Sequence, residues 1–348
     1  MEKKIRNSNI ELLRIITTLG VILLHYNGME AFAAVGEGSV NQYILLFLES
    51  VCIGAVNLFI LITGFFLSKS NERKLSRAVE LLVLVMLTGM LKYLLGAGLT
   101  DFHFRSLAGS AVPRNHFITM YVTLYLISPA LNRITQGLSR KQYGRMMLIA
   151  FLLFNVIPSG LDLLRESTGK FLSDMYPIGT GGSQYGYNII NFIMMYLLGG
   201  YLRRLHEEEK LPGVGVSFLL WGGCIAGVFF LQQPWPLFGR AYCNPLVIGI
   251  AVGMLCLFIR LKIQSKVINL IARSTLMCFM LHDYLLPIAG IPKAVQGHWF
   301  GMLVHIVLAA IAIYGISWVV WRIYDWISAP FWRWLNKKSQ KADQFLSL

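Results

Sequence analysis

The sequence predicts an all-α, polytopic integral membrane protein with about ten transmembrane helices, and three observations carry that reading. Hydrophobic residues make up 56% and charged residues only 14% of the chain, where soluble domains carry roughly 25% charged residues. Ten apolar stretches are long enough to span, at approximately 10–32, 42–67, 77–99, 117–134, 144–164, 188–204, 214–232, 244–261, 267–290 and 299–323. Finally, 22 of the 31 Lys and Arg residues fall on one set of alternate connections and 6 on the other. A bias of that size is the positive-inside signal, and it orients both termini to the cytoplasm. The net charge of +14 therefore reports topology, and no nucleic-acid partner is expected.

The 348 residues, once divided into spans and short connections, leave no room for a separate soluble catalytic domain. The expected organisation is a ten-helix domain over 1–323 and a cytoplasmic amphipathic tail over 324–348. The first apolar stretch follows a basic start, lacks a small-residue cleavage site and carries a polar face, so it is expected to be kept as a helix. The five cysteines are scattered, with no Cys-x-x-Cys pair, which argues against a disulfide framework and against a metal site.

Further along, the outer connections 100–116 and 165–187 are rich in Gly, Ser, Tyr and charged groups. Segments of that length are expected to be lids or disordered. Their aromatic and polar residues suit a sugar, and equally suit an interfacial belt. Gly223 with Gly227, and Gly249 with Gly253, are small-xxx-small pairs that predict close helix packing. The aromatic tail around Trp326 and Trp334 is expected to lie along the inner leaflet, with membrane lipid as its partner.

Chemistry concentrates in the first helix, which carries Glu11, Arg14 and His25. Each is costly in hydrocarbon, so each marks a candidate site. Eleven residues of α-helix come to within about 20° of three whole turns. Arg14 and His25 therefore share a face, about 16 Å apart along the axis, with Thr18 one turn beyond Arg14. Two readings of Glu11 stand side by side: an ion pair with Arg14 snorkelling to the interface, or a part of the site.

A second feature is Arg73-Lys74-Leu75-Ser76-Arg77. At i,i+4 spacing, two guanidinium forks are expected side by side on one helix face, a geometry suited to phosphate. Flanking positive-inside charge is the plainer account. Of the other histidines, His206 reads as part of a solvated turn, and His103, His298 and His305 as interfacial or packing residues. His116 opens the fourth expected span beside the outer face. The common soluble signatures (G-x-G-x-x-G, Walker A, G-x-S-x-G, H-E-x-x-H) are absent.

Asn9-Ile10-Glu11-Leu12-Leu13-Arg14 followed by His25 resembles the Arg-x10-His signature of the membrane-bound acyltransferase 3 family, polysaccharide O-acetyltransferase type. Arg73-x-x-x-Arg77 resembles its Arg-x-x-x-Arg motif. Asn57 through Leu67, Tyr121 through Asn132 and Ser274 through His282 are similar to later family blocks. Two departures stand out: Asn115-His116-Phe117-Ile118 where a Trp-Phe pair is frequent, and Asp283-Tyr284 where members vary. The resemblance implies acyl transfer from cytoplasmic acyl-CoA, with acetyl-CoA the expected donor, to a hydroxyl of a cell-surface glycan or its lipid-linked precursor. It also implies His25 as catalytic residue, Arg14 as its motif partner, and Arg73 and Arg77 as contacts for CoA phosphates. The setting it implies is the plasma membrane of a bacterium.

The residues fit that chemistry independently. Transfer to an alcohol needs a base, and an imidazole shielded from water suits the task. The pantetheine arm is expected to follow the Arg14–Thr18 face toward His25. Asn57, His116 and His282 are the candidate substrate-binding residues; Asn57, Thr18 or backbone amides at a broken helix are the candidate oxyanion donors, and His282 is either a proton relay or a packed histidine. A transporter or flippase of an anionic glycan-lipid, using Arg14 and Glu11 as intramembrane groups, is the competing reading, and a non-catalytic sensor a third.

Overall fold

A computed structural model describes residues 7–347. Lys3, Lys4 and Arg6, which enter the charge count above, lie outside the described residues. Among the described residues the fold is helical, with no strand. The main helices are α1 Ser8–Tyr26, α2 Val40–Cys52, α3 Ala55–Leu67, α4 Leu75–Leu95, α5 His116–Gln136, α6 Arg140–Phe151 and α7 Ile157–Thr168. They continue with α8 Ile189–Glu207, α9 Val214–Leu231, α10 Pro245–Ile259, α11 Thr275–Leu285, α12 Trp299–Lys338 and α13 Gln340–Leu346.

Every apolar stretch read from the sequence falls on helix. Six segments are long and apolar enough to cross a membrane: Ser8–Ala34, Val40–Leu67, Leu75–Leu95, Arg140–Thr168, Val214–Leu231 and Trp299–Lys338. The chain is a multi-pass membrane protein. Of the other expected spans, α5 and α8 have the length but carry more polar side chains, and α10 is apolar but only 15 residues long. The stretch 267–290 breaks at the 3-10 turn Ala272–Ser274.

The chain forms two compact units, one from the residues up to Phe66 with Leu138–Trp318, the other from Leu67–Gly137 with Val319 onward. In the first unit α1 is buried on two sides. Ile22 and Tyr26 join Cys278, Met302 and Ile306 in one apolar cluster, while Val21 and Leu24 join Ile53, Val228, Val247 and Ile250 in another. Directly after α1 the helix widens into a π-helical turn, Asn27–Ala31, and a second such turn, Leu152–Val156, joins α6 to α7. Such bulges recur at functional sites.

Small residues set the closest approaches in this unit. A Cβ on Gly64 of α3 would collide with the Tyr196 carbonyl oxygen of α8, and one on Gly199 with the Leu61 carbonyl oxygen. Between α9 and α10, a Cβ on Gly253 would sit 2.9 Å from Ser217 O, and one on Gly249 2.5 Å from Cys224 Sγ. Three of the four glycines expected to pack do so, Gly227 against Leu246, while Gly223 faces open space.

The segment after α7, expected as a lid or a disordered loop, is tied down instead. Tyr176 Oη donates to Asp162 Oδ1 at 2.9 Å, and Ser183 Oγ donates to the other carboxylate oxygen. Asp162 is 5% exposed, and the loop it anchors supplies the hydrogen-bond partners that a buried carboxyl needs.

Helix α12, whose residues from Val319 onward belong to the second unit, runs as one 40-residue helix through residue 323, roughly 60 Å at 1.5 Å per residue. The tail keeps exposed aromatics, Trp326 at 81% and Phe345 at 86%. It also returns to α4: Asp343 Oδ1 accepts from Leu75 N at 2.8 Å, and Ser76 Oγ donates to Asn336 Oδ1 at 2.6 Å. Lys74, the residue capping α4, makes no side-chain cap bond. Asp343 supplies the missing acceptor, at the helix end where a negative charge is favoured.

Candidate active site

Helix α1 is unbroken from Ser8 to Tyr26, so Arg14 and His25 do share the face that their spacing predicts. Near its start, Arg14 Nη1 bonds Glu11 Oε1 at 3.0 Å, with the Glu11 side chain 9% exposed and the Arg14 side chain 36%. Thr18 Oγ1 donates to the Arg14 carbonyl oxygen at 2.9 Å, which spends the hydroxyl on the helix itself. Glu11 and Arg14 thus form a half-sunk ion pair three turns below His25.

At the other end, the His25 imidazole meets His282 of α11 edge to face, with ring centroids 4.5 Å apart. His282 is 3% exposed, and its Nδ1 lies 2.8 Å from the Phe279 carbonyl oxygen. A carbonyl only accepts, so His282 carries its proton on Nδ1, and Nε2 bears the lone pair when the ring is neutral. His25 is exposed, where a shielded imidazole had been expected. Among the described residues it makes no hydrogen bond, so both of its nitrogens are open to a substrate. The Asp283 carboxylate, next in sequence to His282, lies close enough to act on His25 electrostatically. Carboxylate, buried imidazole and open imidazole together form an arrangement that can hold a positive charge appearing on His25.

Just past His25 the helix is fixed from both sides. Tyr26 Oη and His305 Nδ1 are 3.0 Å apart, and His305 Nε2 is 2.8 Å from the Ala289 carbonyl oxygen. Nε2 therefore donates, and Nδ1 accepts from the phenol. Asn27, which opens the π-helical turn, donates to Leu45 O at 3.2 Å and to Glu49 Oε2 at 2.8 Å. Glu49 is 6% exposed inside α2. Sequence reading passed over it, although a carboxylate in the apolar run Val40–Leu67 is itself the signal.

Asn57 is 1% exposed and committed to the protein. Its Nδ2 donates to Tyr242 O at 2.8 Å, and its Oδ1 accepts from Asn191 Nδ2 at 3.1 Å. Asn191 Oδ1 in turn accepts from Asn155 Nδ2 at 3.0 Å. This buried amide ladder joins α3, α8 and the second π-helical turn to the loop before α10, and the amide expected as an oxyanion donor is one of its rungs.

The expected pair of side-by-side guanidinium forks does not form in the second unit. Arg73 precedes α4, because Lys74 is the capping residue, and Arg73 is 1% exposed. Its Nε donates to Ser128 Oγ at 2.8 Å, and its Nη1 to Ser70 O and Glu72 O at 2.7 Å each. Its Nη2 reaches Leu67 O at 3.4 Å, and the guanidinium lies over the Tyr125 ring at 5.5 Å. Main-chain carbonyls thus take up the fork that the spacing offered to phosphate. Arg77 is exposed, on the first turn of α4, and pairs with Glu80 at 2.7 Å. His116, the first residue of α5, is exposed in the same unit.

The fold and the site together describe a multi-pass helical membrane protein that carries an open imidazole on a packed helix pair. The chain belongs to the acyltransferase 3 family: the family model described as Acyltransferase domain matches residues 7–322. No curated protein and no solved structure matches it.

Proposed function

We propose that this membrane acyltransferase moves an acetyl group from acetyl-CoA to a hydroxyl of a cell-surface polysaccharide or its lipid-linked precursor, with His25 as the base. The observation that supports it most is the open His25 imidazole set against His282 at 4.5 Å. His25 takes the acceptor hydroxyl proton as the oxygen attacks the thioester carbonyl. The carbon–sulfur bond then breaks, the ester forms, and the proton passes to the departing CoA thiolate. His282 and Asp283 hold the imidazolium in between. Arg77 is the candidate contact for a CoA phosphate, and Arg14 with Glu11 sets the polar face of α1. The charge bias supports cytoplasmic termini in a bacterial plasma membrane, with donor and acceptor approaching from opposite sides.

The test is transfer of label from acetyl-CoA into polysaccharide by membranes holding wild type, His25→Ala or His282→Ala. The expected result is loss of transfer in His25→Ala and a fall of about 100-fold in His282→Ala, the usual scale of one acid–base group. Near-full transfer by His25→Ala overturns the assignment. A transporter predicts movement of glycan-lipid without a covalent change, and a flux that His25→Ala lowers but leaves standing.

A further inference from the structure

The loop that Asp162 anchors holds a feature the acyl-transfer chemistry does not use. Gln184 and Tyr185 are consecutive and both left-handed, at φ 50° and φ 52°. Cβ crowding makes this region unfavourable for residues other than glycine. Glycine does occupy the neighbouring positive-φ positions, at Gly179, Gly182 and Gly186. The two side-chain-bearing residues therefore sit at strained positions within a run where glycine is the ordinary solution.

The turn is held rigidly in spite of the strain. Ser183, fixed to Asp162, accepts from Tyr185 N through its Oγ at 2.9 Å. The Ser183 carbonyl accepts from Gly186 N at 3.0 Å and from Asn188 Nδ2 at 2.7 Å. Tyr185 O accepts from Tyr242 N at 2.6 Å, and the Tyr242 carbonyl leads on to Asn57 and the amide ladder. Beneath the turn, a Cβ on Gly186 would collide with Cys243 N. Each of these bonds uses backbone, Ser183 or Asn188. None uses the side chain of Gln184 or Tyr185, and both of these are exposed.

We propose that Gln184 and Tyr185 form an acceptor subsite for a pyranose ring, the Tyr185 ring stacking on the sugar's C–H face and the Gln184 amide bonding its hydroxyls. Strain retained at a well-braced position is the pattern of a preorganised site. A rigid aromatic beside an amide with both donors and an acceptor matches a ligand that is apolar on its faces and hydroxylated at its rim. The charge bias places this loop on the outer side, where the acceptor is expected. This subsite rests on the glycan-acceptor reading given above.

The test uses the full chain in detergent, acetyl-CoA, and chitotetraose, cellotetraose and maltotetraose as acceptor probes. The variants are Tyr185→Gly, Tyr185→Trp and Gln184→Ala. Tyr185→Gly relieves the left-handed strain, so its thermal midpoint should hold or rise, which separates lost binding from lost folding. Its acceptor KM should rise between about three- and tenfold, the range of one aromatic contact, with the acetyl-CoA KM unchanged. Tyr185→Trp should keep the wild-type acceptor KM, and Gln184→Ala should raise it. Unchanged acceptor KM in Tyr185→Gly, with wild type active, overturns the subsite alone. A wild type that transfers to none of the three overturns the glycan reading and the subsite with it.

Discussion

Replacing Arg73 by alanine separates two roles that one sequence motif allows. If Arg73 were a phosphate contact, its loss would weaken acetyl-CoA binding and leave folding intact. The structure points to a clamp. The carbonyls of Leu67 and Ser70 also accept from Asn132 Nδ2, at 2.8 Å each, so they keep a partner when the guanidinium goes. Glu72 O and the acceptor side of Ser128 Oγ lose theirs. The buried Ser128 acceptor at about 1 kcal/mol, the low end for such a group, and a cation–π contact of about 1 kcal/mol put the loss near 2 kcal/mol, since Glu72 is exposed and its carbonyl can turn to water. Arg73→Lys should recover little of it, because an ammonium cannot reach acceptors spread around a planar fork. Arg77→Ala is the matched comparison: its side chain is 51% exposed, so stability should stay within about 0.5 kcal/mol while the acetyl-CoA KM rises. Thermal unfolding in detergent, followed alongside transfer kinetics, reads both quantities. An Arg73→Ala protein that unfolds like wild type and shows only a raised KM would refute the clamp.

Three further outcomes follow from contacts described above. Gly64→Ala should fail to fold, because its Cβ has no room against Tyr196 O, whereas Gly223→Ala, which meets nothing within 4 Å, should express normally. Recovery of monodisperse protein distinguishes them. Glu49→Ala removes one of the two acceptors holding Asn27 and should cost about 1–3 kcal/mol. It should also lower kcat through the displaced end of α1, with Glu49→Gln close to wild type in both unfolding and kinetic assays. Burial, reinforced by Asp162, pushes the Cys243 thiol up to about 12. A maleimide should therefore leave Cys243 unlabelled in the folded protein at pH 8 and label it once the chain is unfolded. The sign follows: a raised thiol value stabilises the fold fully below about pH 8.5, where unfolded thiols titrate, and that contribution is lost as pH climbs toward 12.

Much of the frame was legible because apolar length and charge bias act locally along the chain. The shared face of Arg14 and His25 follows from helical period alone, and the packing of Gly249 and Gly253 from residue size. What the sequence concealed depends on partners far away in the chain. The i,i+4 argument for Arg73 and Arg77 assumed a helix that begins at or before residue 73. It begins at Leu75, and two residues decide whether a guanidinium points outward or into its own loop. Asn57 looked like a free amide until Asn191 and Tyr242 met it. The loop after α7 looked mobile because its glycines are visible in sequence and its anchor, Asp162, is not recognisable as one. Neither π-helical turn has a spacing signature.

The division into units also constrains the order of synthesis. The second unit contains α4 and α5, yet Asp343, which caps α4, and Asn336, which holds Ser76, lie 268 and 260 residues further along the chain than their partners. Between them the ribosome must translate all of α6 to α11, the greater part of the first unit. During that interval the start of α4 is without the cap that Asp343 supplies. A nascent chain arrested before residue 336 would hold a nearly complete first unit and a second one still missing the end of α12 and all of α13, the segments that hold the start of α4.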